Sequence, residues 1–307
     1  MEISVILCTY DRCRLLTDAL ESIAACTVPP SVEWEVLVID NNSRDQTRAV
    51  VQDFSRRYPG RFRYVFEAQA GKSNALNTGV REAQGKVLAF VDDDVSVEPG
   101  WLHSLTAAMM DGPWAGTGGR TLAAHPFPLP DWLSREHPIQ WGGVLGGLLD
   151  LGDQPLELRM APYGANMAFR KEMFVRYGGF RTDLGPRPGN LIRCEDTEFG
   201  HRLLNAGERL RYEPLAIVYH PIQENRLQKE YFLTWWFDYG RAQAREQGQR
   251  PLVRGTLRQY VEITAGMGAR LGIRTLRWMR TLNPHQKFFY KCRVWMTIGQ
   301  ILEICGR

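Results

Sequence analysis

Three consecutive carboxylates, Asp92, Asp93 and Asp94, follow the apolar run "VLAFV" at residues 87–91. In an extended chain Asp92 and Asp94 point to one side and Asp93 to the other. Two hard oxygen ligands so spaced suit Mg2+ or Mn2+, which keep open positions for phosphate oxygens. Without a cation the neighbouring charges repel, and one carboxylate must hold a proton. An isolated Asp triplet is more simply a solvated turn or a helix cap, but here it ends a buried-type strand. A second acidic pair, Glu195–Asp196, opens "EDTEFGHRLLNAG", where the apolar spacing is helical. A carboxylate there can take a proton from a hydroxyl or simply complement the helix N-terminus. His220 closes "LAIVYH"; a lone histidine is more often a buried hydrogen-bonding group than a ligand.

Elements that must position these groups alternate along the first hundred residues. "ISVILCTY", "WEVLVIDN", "FRYVFEA" and "KVLAFVDDD" read as strands. "RLLTDALESIAAC", "SRDQTRAVVQDFSRRY" and "KSNALNTGVREAQG" read as helices, the second capped by Ser43 and the third stopped by Gly85. Continuous apolar strands separated by amphipathic helices predict an α/β fold with a mostly parallel central sheet covered on both faces. Ligands bind such sheets beyond the carboxyl ends of the strands. Three of these strands end in polar clusters, "TYDR", "IDNNS" and "VDDDV", which places one shared site at that edge. Between Pro126 and Pro162 the composition shifts to Pro, Gly and Trp, predicting a long irregular excursion. "LAIVYHP" reads as a short strand, and no internal repeat is visible.

The 307 residues, 44% hydrophobic and 23% charged, have ordinary globular composition and can bury a sizeable core. No stretch reaches the roughly 20 apolar residues of a spanning helix, and "MEISVILCTY" begins directly as a strand, without a signal peptide's pattern. Six cysteines lack zinc spacing and read as free thiols of a cytoplasmic protein. From residue 270 onward eight Lys/Arg face a single acid, Glu303, so the tail is +7 and the remainder of the +4 chain is −3. Arg270, Arg274 and Arg277 fall on one helical face, with Leu271, Trp278 and Leu282 on another. Val294, Trp295, Ile298, Ile301 and Leu302 form a second apolar stripe. A basic, aromatic, amphipathic tail suits a peripheral contact with the cytoplasmic face of an anionic membrane; packing on the rest of the chain, or self-association, is the competing use.

From about Ile3 to Arg226, some three-quarters of its length, the chain resembles glycosyltransferase family 2. The ordered segments "SVILCTYDR", "VLVIDNNSRDQT", "AGKSNALNTGV", "LAFVDDDV", "YGANMAFRKEMF" and "EDTEFGHRL" carry the resemblance. It implies the GT-A fold, with a catalytic domain over 1–226 (a nucleotide-binding half, 1–98, and an acceptor-binding half, 99–226) and a basic helical C-terminal extension over 227–307. It also implies Mg2+ or Mn2+ and a nucleotide-sugar donor, with a UDP-sugar expected. Thr9, Tyr10 and Arg12 would line the base and phosphate pocket, with Asp40 reading the base and Asn42 beside it. Lys72 and Asn74 would flank base and ribose, Asp92 would touch the ribose, and Asp93 would lie on the donor side. Asp94 would hold the metal, with His220 as a further ligand and Arg226 on the diphosphate. Gly164, Ala165 and Asn166 would face the donor sugar. Asp196 would be the base, with Glu195 orienting substrate. Taken singly, several of these residues have plainer uses: Tyr10 in the core, Lys72 as a solvated side chain, Asp40 as a cap.

With one carboxylate placed to act as base and no second nucleophile evident, a single displacement with inversion is expected. The acceptor would be a glycan or a lipid-linked sugar; nucleic acid is not expected. Two other readings use similar ligands. A sugar nucleotidyltransferase, like a dinucleotide-dependent dehydrogenase, needs glycines after the first strand, and "CTYDRCR" has none. A non-catalytic nucleotide-sugar-binding protein would be expected to lose the acids, and both acidic clusters are intact.

Overall fold

A computed structural model describes residues 1–133, 141–248 and 257–306. It divides into two compact units. The first comprises residues 1–126, 146–188 and 195–222; the second comprises 127–145, 189–194 and 223–307.

The first unit is built on one mixed sheet. Strands β1 (Ile3–Thr9), β2 (Trp34–Asp40), β3 (Phe62–Phe66) and β4 (Val87–Asp92) are parallel. They are joined by helices α1 (Cys13–Ala24), α2 (Thr47–Arg57) and α3 (Lys72–Glu82). Beyond β5 (Ser96–Val97) and α4 (Trp101–Asp111) come β6 (Gly116–Ala123), β7 (Leu156–Leu158), β8 (Asn166–Arg170), α5 (Lys171–Tyr177), α6 (Glu195–Asn205) and β9 (Leu210–His220). The sheet order is β3-β2-β1-β4-β8-β6-β9-β5, with β7 added on β9. β8 runs antiparallel between β4 and β6, and β9 runs parallel to β6.

Alternation along the strands assigns the two faces of the core. Val5, Leu7, Val36, Val38, Ala89 and Val91 pack with Leu16 and Leu20 of α1, Phe54 of α2 and Trp101 of α4. Ile6, Leu37, Ile39, Leu88 and Phe90 pack with Leu76 of α3, Phe174 of α5 and Phe199 of α6. Both faces are covered, as the unbroken apolar strands require.

Several local expectations are revised. Ser43 does not cap α2: its hydroxyl accepts from the Asp11 N–H at 2.9 Å, and Asp45 instead accepts from the Thr47 N–H at 2.9 Å. Gly85 does not stop α3, which ends at Glu82. Its lack of a side chain serves the approach to β1, where a Cβ would lie 2.4 Å from the Ser4 nitrogen. The "LAIVYH" segment is the end of an eleven-residue strand rather than a short one. Part of the expected excursion over 126–162 lies outside the described residues.

In the second unit α7 (Lys229–Glu246) and α9 (Pro284–Ile304) cross closely, and α8 (Leu257–Arg280) packs on α9. Gly240 and Gly299 permit the crossing, since a Cβ on either would lie 2.0 or 2.1 Å from a carbonyl oxygen of the other helix. Phe232 and Trp236 of α7 contact Trp141 at 5.3 and 6.4 Å between ring centroids. Asn283 caps α9, its side chain accepting from the His285 and Gln286 N–H groups, with Pro284 in the first turn. Val294 is buried and Ile298, Ile301 and Leu302 are half-buried in this packing. The second apolar stripe of the tail is therefore an internal face.

Candidate active site

Parallel register explains why the strand ends meet. Thr9 pairs with Asp40, and Cys8 with Asp92, so β1, β2 and β4 finish side by side. β8 starts at the same edge, Asn166 lying opposite Val91. His220 arrives by a different route. Directly after Asp94 the chain forms β5, where Ser96 pairs with Tyr219 and Val97 with Val218 of β9. That pairing brings the end of β9 to the aspartate turn across more than a hundred residues of sequence.

Asp92, Asp94 and His220 offer ligand atoms all within 4.8 Å of one another. His220 Nδ1 lies 2.8 Å from the Pro221 carbonyl oxygen. A carbonyl only accepts, so Nδ1 carries the proton and Nε2 faces Asp94 Oδ1 at 3.7 Å. Such a hydrogen bond on the far nitrogen orients an imidazole for metal binding. Two carboxylates and one nitrogen, all at or near the edge of a buried turn, are a donor set suited to Mn2+ or Mg2+. The expected pair Asp94 and His220 is thus joined by Asp92, a residue assigned from sequence to the ribose.

Arg12 reaches over the same turn, its Nη1 3.0 Å from Asp93 Oδ1 and 3.2 Å from Asp94 Oδ2. Burial pushes the Asp93 carboxyl up to about 6, Arg12 opposing and Asp94 reinforcing the shift. Lys72, at the start of α3, donates to Asp92 Oδ1 at 2.6 Å and lies 3.7 Å from Glu195 Oε1. Although burial opposes its charge, Asp92, Glu195 and Asp196 hold the ammonium well above its ordinary value. The same Lys72 keeps Asp92 below the usual carboxylate range against its burial. Burial takes Glu195 to about 7, partly offset by Lys72.

The start of α6 is set by aromatic packing. Phe199, one turn along, stacks on Phe174 at 4.3 Å and meets Phe169 at 5.0 Å. This places Glu195 and Asp196 in the lining of a cavity shared with Lys72, Asp92 and Gly164. Asp196 Oδ2 accepts from the Gly164 N–H at 2.6 Å and Oδ1 from its neighbour's, Thr197, at 2.7 Å. A Cβ at Gly164 would lie 2.9 Å from Asp196 Oδ2. Gly164 is therefore small because Asp196 approaches it.

Around the expected base pocket, Asp40 is buried, Oδ1 accepting from the Ser43 N–H at 2.9 Å and Oδ2 from the Tyr64 hydroxyl at 2.7 Å. Each oxygen retains a lone pair for a further donor. Tyr10 is exposed rather than in the core, and Asn42 is exposed in a left-handed turn at φ 69. Asn74 donates to the Ala70 carbonyl at 3.0 Å. Asn166 departs from expectation. Its amide is buried, accepting from Trp101 Nε1 and donating to the carbonyls of Arg120 and Ala216, so it ties strands together and does not face a sugar. Arg226 lies in a short 3-10 helix, Glu224–Leu227, of the second unit.

Three contributors were not evident in the sequence. Asn41, rather than only Asn42, braces the site: it donates to the carbonyls of Glu67 and Gln69 and accepts from the Gly71 N–H. Cys8 and Met167 line the cavity; burial pushes the Cys8 thiol up, out of nucleophilic range. An Asn next to a strand-ending Asp was a signal for the first; apolar strand residues carry none for the others.

Comparison with known proteins identifies the family and the fold. The chain is 28% identical over 250 residues to a glucosyl-dolichyl phosphate glucuronosyltransferase of Haloferax volcanii, covering 78% of this chain and 76% of that one. It is 29% identical over 227 residues to the succinoglycan biosynthesis protein ExoM of Rhizobium meliloti, covering 74% and 69%. Among solved structures, a mannosyltransferase of Pyrobaculum calidifontis in complex with GDP-Man and Mn2+ superposes with a TM-score of 0.62. It has 18% identity, over 98% of this chain and 87% of that one. Staphylococcus aureus TarS 1–349 in complex with UDP superposes at 0.55 with 16% identity, over 100% and 92%. These two support the GT-A fold alone. The family model for glycosyl transferase family 2 matches residues 4–178, more than half of the chain, and the chain belongs to that family.

Proposed function

We propose that this glycosyltransferase moves a sugar, with inversion, from a UDP-sugar to a hydroxyl of a lipid-linked or polysaccharide acceptor. The observation that carries the reading is that Asp92, one of the metal-type donor set Asp92, Asp94 and His220, lines the same cavity as Asp196, a carboxylate clamped by two backbone N–H groups. A relative named for a dolichyl phosphate sugar and another named for succinoglycan biosynthesis favour that acceptor class.

Asp196 takes the proton of the attacking hydroxyl. The Gly164 and Thr197 N–H groups fix its carboxylate while leaving lone pairs free. Glu195 orients the substrate beside it. Lys72 keeps the half-buried Asp92 ionised and neutralises part of the acidic cavity. Thr9, Tyr10, Asp40, Asn42 and Asn74 border the nucleoside, Arg12 and Asp93 the diphosphate. Asp92, Asp94 and His220 would hold Mg2+ or Mn2+, which would supply positive charge to stabilise the departing diphosphate.

Thermal shift with UDP-, GDP- and dTDP-sugars, each with Mn2+ and with chelator, tests the donor. Protection by UDP-sugars only when Mn2+ is present is expected; protection by GDP- or dTDP-sugars alone would sink the assignment. NMR of the product tests the stereochemistry, and a retained anomeric configuration would remove the single displacement.

A further inference from the structure

The outward face of α8 has no counterpart in the site chemistry. Ile273, Leu276 and Met279 are 55, 47 and 60% exposed, and Leu282, just past the helix end, is 94% exposed. At 100° per residue Ile273, Leu276 and Met279 share one flank of the exposed arc, with Arg280 between Ile273 and Leu276 and with Arg270 and Arg277 along the adjoining edge. All three arginines are exposed. Burying four large apolar side chains is favourable, and apolar patches left in water mark interaction surfaces.

Charge selects what covers this one. Residues 263–302 contain seven Lys/Arg and no Asp or Glu. The nearest acid beyond them, Glu303, is engaged by Arg241 and Arg245 at 2.9 and 2.7 Å. A second copy of the same face would bring arginines against arginines, whereas an anionic surface complements it.

The rest of the helix is occupied, which narrows the face. Arg274, expected alongside Arg270 and Arg277, turns inward and donates to the Arg293 carbonyl and the Thr297 hydroxyl. Burial, with Arg293 and Arg270 adding, lowers its guanidinium to about 10. Trp278 meets Trp295 of α9 at 6.3 Å, with Lys291 over both rings. Trp278 and Arg274 are therefore helix–helix contacts, and the exposed residues form a separate surface. No helix among the described residues is long and apolar enough to cross a membrane. Arginines on the apolar arc itself fit a helix lying at an interface rather than one passing through it.

We propose that the Ile273, Leu276 and Met279 face of α8, with Leu282 just beyond its end, docks the enzyme on an anionic lipid surface, with Arg270, Arg277 and Arg280 contacting the headgroups. The proposal stands on α8 and does not depend on the donor or acceptor assigned above.

Co-sedimentation of the full chain with phosphatidylcholine vesicles, with and without phosphatidylglycerol, tests it at low and high salt. Binding only to the phosphatidylglycerol vesicles, weakened by salt, is expected. The R270Q/R277Q/R280Q variant loses about fivefold per arginine, roughly a hundredfold in all. L276S/M279S also weakens binding, through the apolar contact. None of these residues packs in the described core, and an unchanged melting temperature with UDP and Mn2+ confirms intact variants. Undiminished vesicle binding by both variants overturns the proposal. So does absence of wild-type binding accompanied by a dimer that L276S/M279S converts to monomer in sedimentation equilibrium, because the face is then a self-contact. Equal binding to both vesicle types also refutes the charged-headgroup contact.

Discussion

Replacing Asp196 with Asn separates the proposed base from the binding site. Both carboxylate oxygens accept backbone N–H groups, Gly164 at 2.6 Å and Thr197 at 2.7 Å. Asn retains one acceptor oxygen, so one of these N–H groups must face an NH2. A donor left without an acceptor costs about 1–3 kcal/mol. For a chain of this size that is a fall of several degrees in melting temperature, at roughly 2–4 °C per kcal/mol. Loss of a general base lowers the rate by about 10²–10⁴, or ~2.7–5.4 kcal/mol in the barrier. The catalytic effect therefore exceeds the structural one. Because Asp196 is not among the three grouped metal-type ligands, UDP affinity measured calorimetrically with Mn2+ should stay near wild type. Single-turnover transfer to the proposed lipid-linked or polysaccharide acceptor should collapse. An Asn variant that transfers at nearly the wild-type rate would refute the reasoning and move the base to Glu195. Glu198 is a poorer substitute, since it is paired with Arg202.

Further outcomes follow from the same geometry. Glu195 sits near 7 in the folded chain against about 4.3 unfolded. The native state thus binds the extra proton, and this contribution to stability is present below about 4.3 and lost as pH rises through 7, at about 1.4 kcal/mol per unit. Urea unfolding should find Glu195→Gln gaining on wild type between pH 5 and pH 8; parallel profiles would refute the assignment. Arg12→Gln removes the cation that pairs with Asp93 and Asp94. Calorimetry should show tighter Mn2+ binding in the absence of nucleotide but weaker UDP binding; weaker Mn2+ binding would contradict direct competition for Asp94. Gly240→Ala places a Cβ 2.0 Å from the Met296 oxygen. Overpacking against backbone costs about 1–3 kcal/mol, and a melting temperature unchanged from wild type would show that α7 and α9 are not held at that distance.

Much of the first unit was legible from local pattern. Apolar runs, amphipathic spacing and strand-ending acids place β1, β2, β4 and the edge where Thr9, Asp40 and Asp92 meet, because parallel register aligns strand ends once the elements exist. The acids at the start of α6 were legible for the same reason. Tertiary structure decided the partners. His220 joins Asp92 and Asp94 only because β5 pairs with β9, a contact between segments that carry no sequence mark of each other. Asn166 reads as a site residue, yet its amide is engaged by Trp101, Arg120 and Ala216, all of them far along the chain. Arg274 shares its helical face with Arg270 in projection, but packing against α9 turns it inward. Periodicity states which side of an element is apolar. Which polar groups become buried depends on the neighbour that covers them, and each buried group must then find its hydrogen bonds among atoms that long-range packing supplies.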